Sequence, residues 1–461
     1  MQKLIAKYAL AAHLALLAVA PLFLFPFLDG DAIAVVLLWL SLPAAAWTVL
    51  QPSVRRGEML HDARARLAGS ILRDPLFWGL VVAAVFCGVR ALNSGVAIVY
   101  DAEKSSWLMS KPTMPLFPAT CGKCGFLPFA TSVAATVVVV GCRHALGRSA
   151  RQAWFLVSSA LAGVAALLAV FLANLGNGAV RSAMASSQPS LSFVGVAFAL
   201  YFLGGVVALA AAIENKWNRA IPLAVPAVGG TAVGMLSFSP PYASAVFALA
   251  LLLVFGYTFF YCLSVVRSVA EFKLVLIFAL SLGCGWVVAV MTGASGVIMP
   301  RLADIASRDF LSSGLLKTRE VLAALSFKAW MEHPWTGTGV GSFPLDLRFF
   351  AQPADWAHIP RGILAPPFGW LHLLLERGIV GSAVIVLPSL YLVAVWVRRL
   401  VGWLFVRTAP QPACWVGPVA CAAVVVIGFV DCSCLRGDVI MAVSGMLALS
   451  ANSFPKKAKG G

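Results

Sequence analysis

Runs of about 18–23 mostly apolar residues follow one another along this chain, and that succession constrains the fold more than any other feature. Each run is long enough to cross a hydrocarbon layer about 30 Å thick. In that layer every backbone N–H and C=O must pair within the segment, so each run is expected to be a helix. The runs fall near 9–28, 31–50, 75–92, 126–142, 152–174, 191–213, 220–237, 243–265, 274–295, 370–397, 412–430 and 438–452. The repeated alternation of a membrane β-barrel is absent. Charged residues make up only 11% of the 461 positions, against about 25% in a soluble domain. The expected fold class is an all-α polytopic membrane protein of about 12 transmembrane helices.

The formal charge of +16 invites a nucleic-acid reading. The basic residues, however, sit in short connections and not in a groove interleaved with aromatic residues, so no nucleic-acid partner is expected. Taking the N-terminus as cytoplasmic, the inner connections carry Lys3 and Lys7, then Arg55, Arg56, Arg64, Arg66 and Arg73. Arg143, Arg148 and Arg151 follow, then Lys216, Arg219, Arg267 and Lys273, then Arg398, Arg399 and Arg407, and the tail lysines 456, 457 and 459. The short outer connections carry almost none. That asymmetry orients the chain with both termini inside. Ala18-Val19-Ala20 resembles a signal-peptide cleavage site, but Pro21 follows and the apolar run continues to Leu28, so an uncleaved first helix is expected.

Two outer segments are long. Residues 93–125 are polar and contain Cys121-Gly122-Lys123-Cys124, and residues 296–369 form one large loop that is expected to fold and to carry function. The chain thus divides into 1–295 (nine spans), 296–369 (the large loop, with short helices) and 370–461 (three spans and a basic tail). Within the loop, 317–333 reads as a helix with an apolar stripe of Val321, Leu322, Leu325, Ala329 and Trp330, ended by Pro334. Gly337, Gly339 and Gly341 then mark a turn-rich stretch, read as a turn that fixes the loop. Of the ten cysteines, Cys87, Cys142, Cys262, Cys284, Cys414 and Cys421 lie in or beside apolar runs as small hydrophobes. Cys121, Cys124, Cys432 and Cys434 fall outside, where disulfides, free thiols and a zinc site all remain open.

The informative stretch runs from Arg319 to Gly381. It contains Arg319, then His333-Pro334-Trp335-Thr336-Gly337-Thr338-Gly339-Val340-Gly341-Ser342-Phe343, then Trp370-Leu371-His372 and Glu376-Arg377-Gly378-Ile379-Val380-Gly381 leading into a span. In these motifs the chain resembles the O-antigen ligase/polymerase superfamily. Its members share an Arg-led helix, a His-Pro-x-x-Gly-x-Gly-x-x-x-Phe segment and a Glu-x-Gly-Ile-x-Gly approach to a transmembrane helix. The resemblance implies a glycosyltransferase of the bacterial inner membrane with one large folded periplasmic loop. Its donor would be a glycan on undecaprenyl diphosphate, and its acceptor another glycan or a lipid A-core sugar. It implies no cofactor and no metal. Neither a Walker motif nor a strand-embedded Gly-x-Gly-x-x-Gly is present.

The chemistry asks for two kinds of group. A diphosphate leaving group needs fixed positive charge, best given by the planar fork of arginine; Arg319, Arg348, Arg361 and Arg301 are the candidates, with Arg308 beside them. An acceptor hydroxyl needs a general base. His333, His358, Glu332 and Asp355 are available, but His372 and Glu376 stand four apart and would share a helix face, so they are the catalytic candidates. Glu376 could instead cap or pair at its helix start beside Arg377. The family's usual His-Asn pair ahead of the Glu is replaced by Pro367-Phe368, and its Ser-Arg pair by Ser239-Pro240. Arg90 and Arg181, at the outer ends of other spans, could supply the lost charge. The alternatives to a transferase are a non-catalytic relative in envelope polysaccharide assembly and a polytopic transporter or flippase, the latter disfavoured by the lack of acidic rows within the runs.

Overall fold

The computed structural model describes residues 2–28, 30–50, 58–93, 98–101, 106–109, 122–177, 180, 193–214, 218–238, 241–261, 263, 270–291, 296, 298–299, 313–339, 341–359, 366–404, 412–429, 443, 446–447 and 450. These are overwhelmingly helical. Helices α1 (Gln2–Leu24), α2 (Gly30–Leu50), α3 (Leu60–Leu72), α4 (Pro75–Leu92), α5 (Gly122–Val140), α6 (Arg148–Asn174) and α7 (Phe193–Glu214) make up the first part. They are followed by α8 (Thr231–Phe238), α9 (Pro241–Tyr261), α10 (Ala270–Met291), α11 (Ser313–Glu332), α12 (Phe343–Phe350), α13 (Gly369–Leu404) and α14 (Ala413–Gly428).

Seven helical segments are long and apolar enough to cross a membrane: Ala32–Leu50, Pro75–Leu92, Phe126–Ala145, Ala150–Asn174, Ile221–Phe238, Phe272–Met291 and Gly369–Val401. Four shorter apolar helices, Tyr8–Leu24, Val194–Ala210, Ala248–Tyr261 and Ala413–Gly428, occupy four more of the expected runs. The run at 438–452 lies almost wholly outside the described residues. Many side chains on these helices face outward although they are large and apolar, among them Trp39, Leu42, Leu252, Phe272, Leu280 and Leu387. A water-facing surface does not carry continuous apolar belts of this kind, so the protein is a membrane protein.

The core forms around α7. Every residue from Val194 to Ala210 is buried, as expected of a helix that is apolar all round and enclosed by others. Its Tyr201 hydroxyl donates to the Ala18 carbonyl of α1 (3.0 Å), so a polar atom in the middle of the core is satisfied by backbone. Phe198 meets Phe238 at 5.8 Å between α7 and α8, Phe155 of α6 lies against α7 at Gly204, and Trp154 beside it is fully buried.

Three features depart from the expected pattern. The run at 220–237 is not one α-helix: it winds as a 3₁₀ turn (Asn218–Leu223), a π turn (Val225–Gly230) and then α8. Pro222 and Pro226 each remove a backbone donor there. Residues 60–72, expected only as an inner connection, form the amphipathic helix α3, which buries Ala63, Leu67 and Ile71. The segment 93–125 contains an antiparallel hairpin, β1 (Ile98–Asp101) with β2 (Ser106–Met109), pairing Ile98 with Met109 and Tyr100 with Trp107. Cys121, Cys262, Cys432 and Cys434, and with them the cysteine readings at 121, 432 and 434, lie outside the described residues. Cys87, Cys142 and Cys414 are buried, as expected of small hydrophobes.

The π turn seats on two neighbours by backbone contact. A Cβ on Gly229 would stand 2.1 Å from the Ser281 carbonyl oxygen, and one on Gly230 would stand 2.6 Å from that of Gly163. Gly229→Leu should therefore destabilise the purified protein by about 3 kcal/mol or more, the upper end of overpacking. Gly256→Leu, where nothing lies within 4 Å, should leave the thermal midpoint unchanged. Equal melting of the two variants would contradict this packing.

Candidate functional site

The two motif segments, far apart in sequence, are one structure. In an unbroken helix the Ile379 N–H would donate to the Leu375 carbonyl and the Val380 N–H to that of Glu376. Gly378, at φ 65° and ψ −175°, breaks both rungs inside α13, in a region of backbone space open to glycine alone. The segment after Pro334 takes up all four freed groups. Ile379 N–H donates to the Pro334 carbonyl (2.9 Å) and Val380 N–H to that of Trp335 (3.2 Å). In return Thr338 N–H donates to the Leu375 carbonyl (2.8 Å) and Gly339 N–H to that of Glu376 (3.2 Å).

That insertion explains the glycines. Gly337, Gly339 and Gly341 hold φ of 72°, 117° and 77°. A Cβ on Gly337 would stand 2.5 Å from the Gly378 nitrogen, and one on Gly378 would stand 2.3 Å from the Trp335 carbonyl oxygen. The run expected over 370–397 lies within the apolar helix Gly369–Val401, and the structure adds a break at Gly378 that the sequence reading did not foresee. The helix is two pieces, and the candidate pair lies on the first.

His372 and Glu376 share a face, as their spacing requires, with Nε2 and Oε2 3.3 Å apart. Glu376 is buried, and its other oxygen, Oε1, accepts the Gly341 N–H at 2.7 Å. Its side chain therefore does more than cap a helix start: it ties the glycine turn to the helix that carries His372. His372 is the more exposed partner, at 22% of its side chain against 6% for Glu376. Arg90, buried at the end of α4, donates to the Glu376 carbonyl and lies against the Phe86 ring. The sequence offered Arg90 only as an outer-end charge, and the fold brings it to the candidate pair.

A second polar group locks the turn from beneath. Thr338 Oγ1 lies 2.6 Å from Ser342 Oγ and donates to Asp346 Oδ2 at 2.9 Å. Burial pushes the Asp346 carboxyl up to about 6, against the pull of the Ser342 and Thr338 hydroxyls; the Glu376 charge adds to the rise and the His333 charge opposes it. Sequence reasoning missed this group. Its signal was present: Thr338, Ser342 and Asp346 recur every four residues.

The expected loop helix is present as α11, and its stripe is buried as foreseen: Leu322, Leu325 and Ala329 pack with Phe343, Leu347, Ile359 and Leu375 into a small core of their own, with Val321 and Trp330 against it. Pro334 follows the last turn. Arg319 lies half-buried on α11, and Arg348 belongs to α12. Arg301, Arg308 and Arg361 lie outside the described residues, as does Arg181. His333 is exposed, while Asp355 begins the 3₁₀ turn Asp355–Ala357 and His358 follows it. Among the described residues no group of three or more His, Cys, Asp or Glu side chains is placed to hold a metal ion. No protein-family model matches the chain, and no curated protein matches it.

Two outcomes test the geometry. Gly378→Ala should destabilise the fold by at least about 1–3 kcal/mol from backbone strain alone, read as a lower thermal midpoint. Asp346 holds its proton more tightly when folded than when unfolded, where the ordinary value is about 3.9. Stability should therefore fall, by on the order of 2 kcal/mol, as pH rises from about 4 to about 6, and Asp346→Asn should flatten that part of the profile.

Proposed function

We propose that this protein is an integral-membrane glycosyltransferase of the bacterial inner membrane, moving a glycan from an undecaprenyl diphosphate carrier to an acceptor sugar hydroxyl at the periplasmic face. The observation that carries the reading is the union of the His-Pro-x-x-Gly-x-Gly segment with the Glu-x-Gly-Ile turn around a paired His372 and Glu376. About twelve spans, both termini cytoplasmic and residues 296–369 as the periplasmic loop complete the reading, supported by the charge asymmetry of the connections.

In the proposed reaction the acceptor oxygen attacks the anomeric carbon, the bond from that carbon to the diphosphate oxygen breaks, and the diphosphate leaves with the electron pair. The result is inversion at that carbon. His372, the more exposed of the pair, takes the acceptor's proton, and Glu376 orients and stabilises the imidazolium. Arg319, Arg348, Arg361 and Arg301 are the proposed holders of the diphosphate, whose charge grows as the bond breaks. The acceptor is a glycan or a lipid A-core sugar, and membrane lipids surround the site.

One observation favours a second reading. Glu376 is buried and its Oε1 is engaged by the Gly341 N–H, which is also how a purely structural carboxylate would sit in a non-catalytic relative. Purified protein given lipid-linked donor and acceptor separates the two. Under the transferase reading, His372→Ala should lower turnover by about 10²–10⁴-fold with an unchanged thermal midpoint, and Arg319→Ala should weaken donor use. Full turnover in both variants would remove these roles, and no turnover by the native protein would favour the second reading.

A further inference from the structure

Beyond the break at Gly378, α13 has two distinct faces. One packs antiparallel on α4: Gly79 faces Pro388, Phe86 faces Gly381, and Arg90 meets Glu376. The other carries Ile379, Ala383, Leu387 and Leu390, all exposed and three or four residues apart, as one helix face requires. This second face belongs to the apolar segment Gly369–Val401, so lipid covers it.

The exposed stripe does not stop at the break. Ile379 N–H donates to the Pro334 carbonyl and Val380 N–H to that of Trp335, so the end of α11 is fastened to the start of the stripe. The Pro334 carbonyl also accepts from Trp330 Nε1 (3.3 Å), and the Trp330 ring meets that of Phe327 at 5.4 Å. A line of contacts therefore leads from Ile379 back along α11 to Phe327. Beside it Trp335, Met331 and Phe327 stand four residues apart, with 65%, 58% and 51% of their surface exposed.

Helix α11 thus has two apolar faces. Leu322, Leu325 and Ala329 fill the small core of the loop, which is all that packing of the loop demands. The second face is apolar only toward the joint. Exposed Lys317 and Glu320 occupy its far end, and Phe327 and Met331 its near end. A single exposed apolar side chain is ordinary, but three in succession that continue a lipid-facing stripe form a patch. Trp335, where the two stripes meet, has the ring that gathers at the boundary between lipid and headgroups. Lys328, which follows Phe327, has its ammonium 5.8 Å over the Phe350 ring, so its charge is held against α12.

We propose that Phe327, Met331 and Trp335 form a membrane-docking face, seated in the lipid boundary beside α13, so that the joint at Gly378 is fastened to the bilayer as well as to the helix. The proposal needs only that α13 meets lipid, and it does not rest on the glycosyl-transfer reading.

The test uses the full chain in vesicles of phosphatidylethanolamine and phosphatidylglycerol. A photoactivated benzophenone amino acid is placed at Met331, at Phe327, or at Leu280, an exposed residue of the segment Phe272–Met291. Irradiation joins the probe to whatever touches it, and the mass of the intact protein identifies the product. Lipid adducts at Met331 and Phe327, in a yield of the same order as at Leu280, are the expected result. If the probe at one of the two loop positions prevents folding, the other reads the same contact. Adducts confined to Leu280 would leave the face in water, and products joining two copies of the chain would make it a protein interface; either result overturns the proposal.

Discussion

The exchange of hydrogen bonds at Gly378 is the interaction on which the candidate site depends. A helix interrupted near a membrane boundary exposes donors and acceptors, and each costs several kcal/mol if lipid surrounds it. Here the two broken rungs are replaced one for one: carbonyls of Pro334 and Trp335 receive the freed N–H groups, and N–H groups of Thr338 and Gly339 reach the freed carbonyls. The loop is thereby fastened to the helix by main chain, which varies little with side-chain identity. Everything else at this end is fixed relative to that joint. Glu376 reaches Gly341 because the turn is held against it, and Asp346 closes the turn from the other side.

The joint also explains why a late segment of the chain meets an early one. The antiparallel contact of α4 with α13 brings the Arg90 guanidinium to the same Glu376 carbonyl that receives Gly339 N–H. A carbonyl has two lone pairs, so the Glu376 oxygen accepts from both Gly339 N–H and the Arg90 guanidinium. The break lets the Gly339 N–H replace the helical donor on this carbonyl, and the pairing of α4 with α13 brings the second donor. At the opposite end of α4 its N-cap Asp74 pairs with Arg143 and His144, so each end carries its own polar group.

Much of this fold was legible in the sequence because lipid leaves few options. Apolar runs of sufficient length must be helices, and eleven of the twelve expected runs coincide with apolar helices among the described residues. The stripe on α11 was legible for the same reason, since a period of 3.6 leaves Leu322, Leu325 and Ala329 on one face. The amphipathic helix α3 was not, because its arginines read first as connection charge. The π turn at Val225–Gly230 was not, because an unwound apolar segment has the same composition as a wound one. The pairing of His372 with Glu376 followed from spacing, but the meeting of Arg90 with Glu376 depends on which helices lie side by side, and no local pattern encodes that.

The joint divides the family-like motifs into two kinds of residue. Pro334, Gly337, Gly339, Gly341 and Gly378 are explained by backbone alone: terminating a helix, reaching positive φ, or admitting a carbonyl where a Cβ would collide. A chain using this joint for stability only would need them as much as an enzyme would. Their presence argues for the shape of the loop and is silent about chemistry. Glu376 is intermediate, since one carboxylate oxygen is used to bind Gly341 while the other faces His372. His372 is different. The four-bond exchange does not use its side chain, whose Nε2 faces Glu376 Oε2. What distinguishes a transferase from a structural relative in this chain therefore rests on the imidazole of His372 and the face of Glu376 turned toward it, far more than on the glycine pattern that first draws attention to the segment.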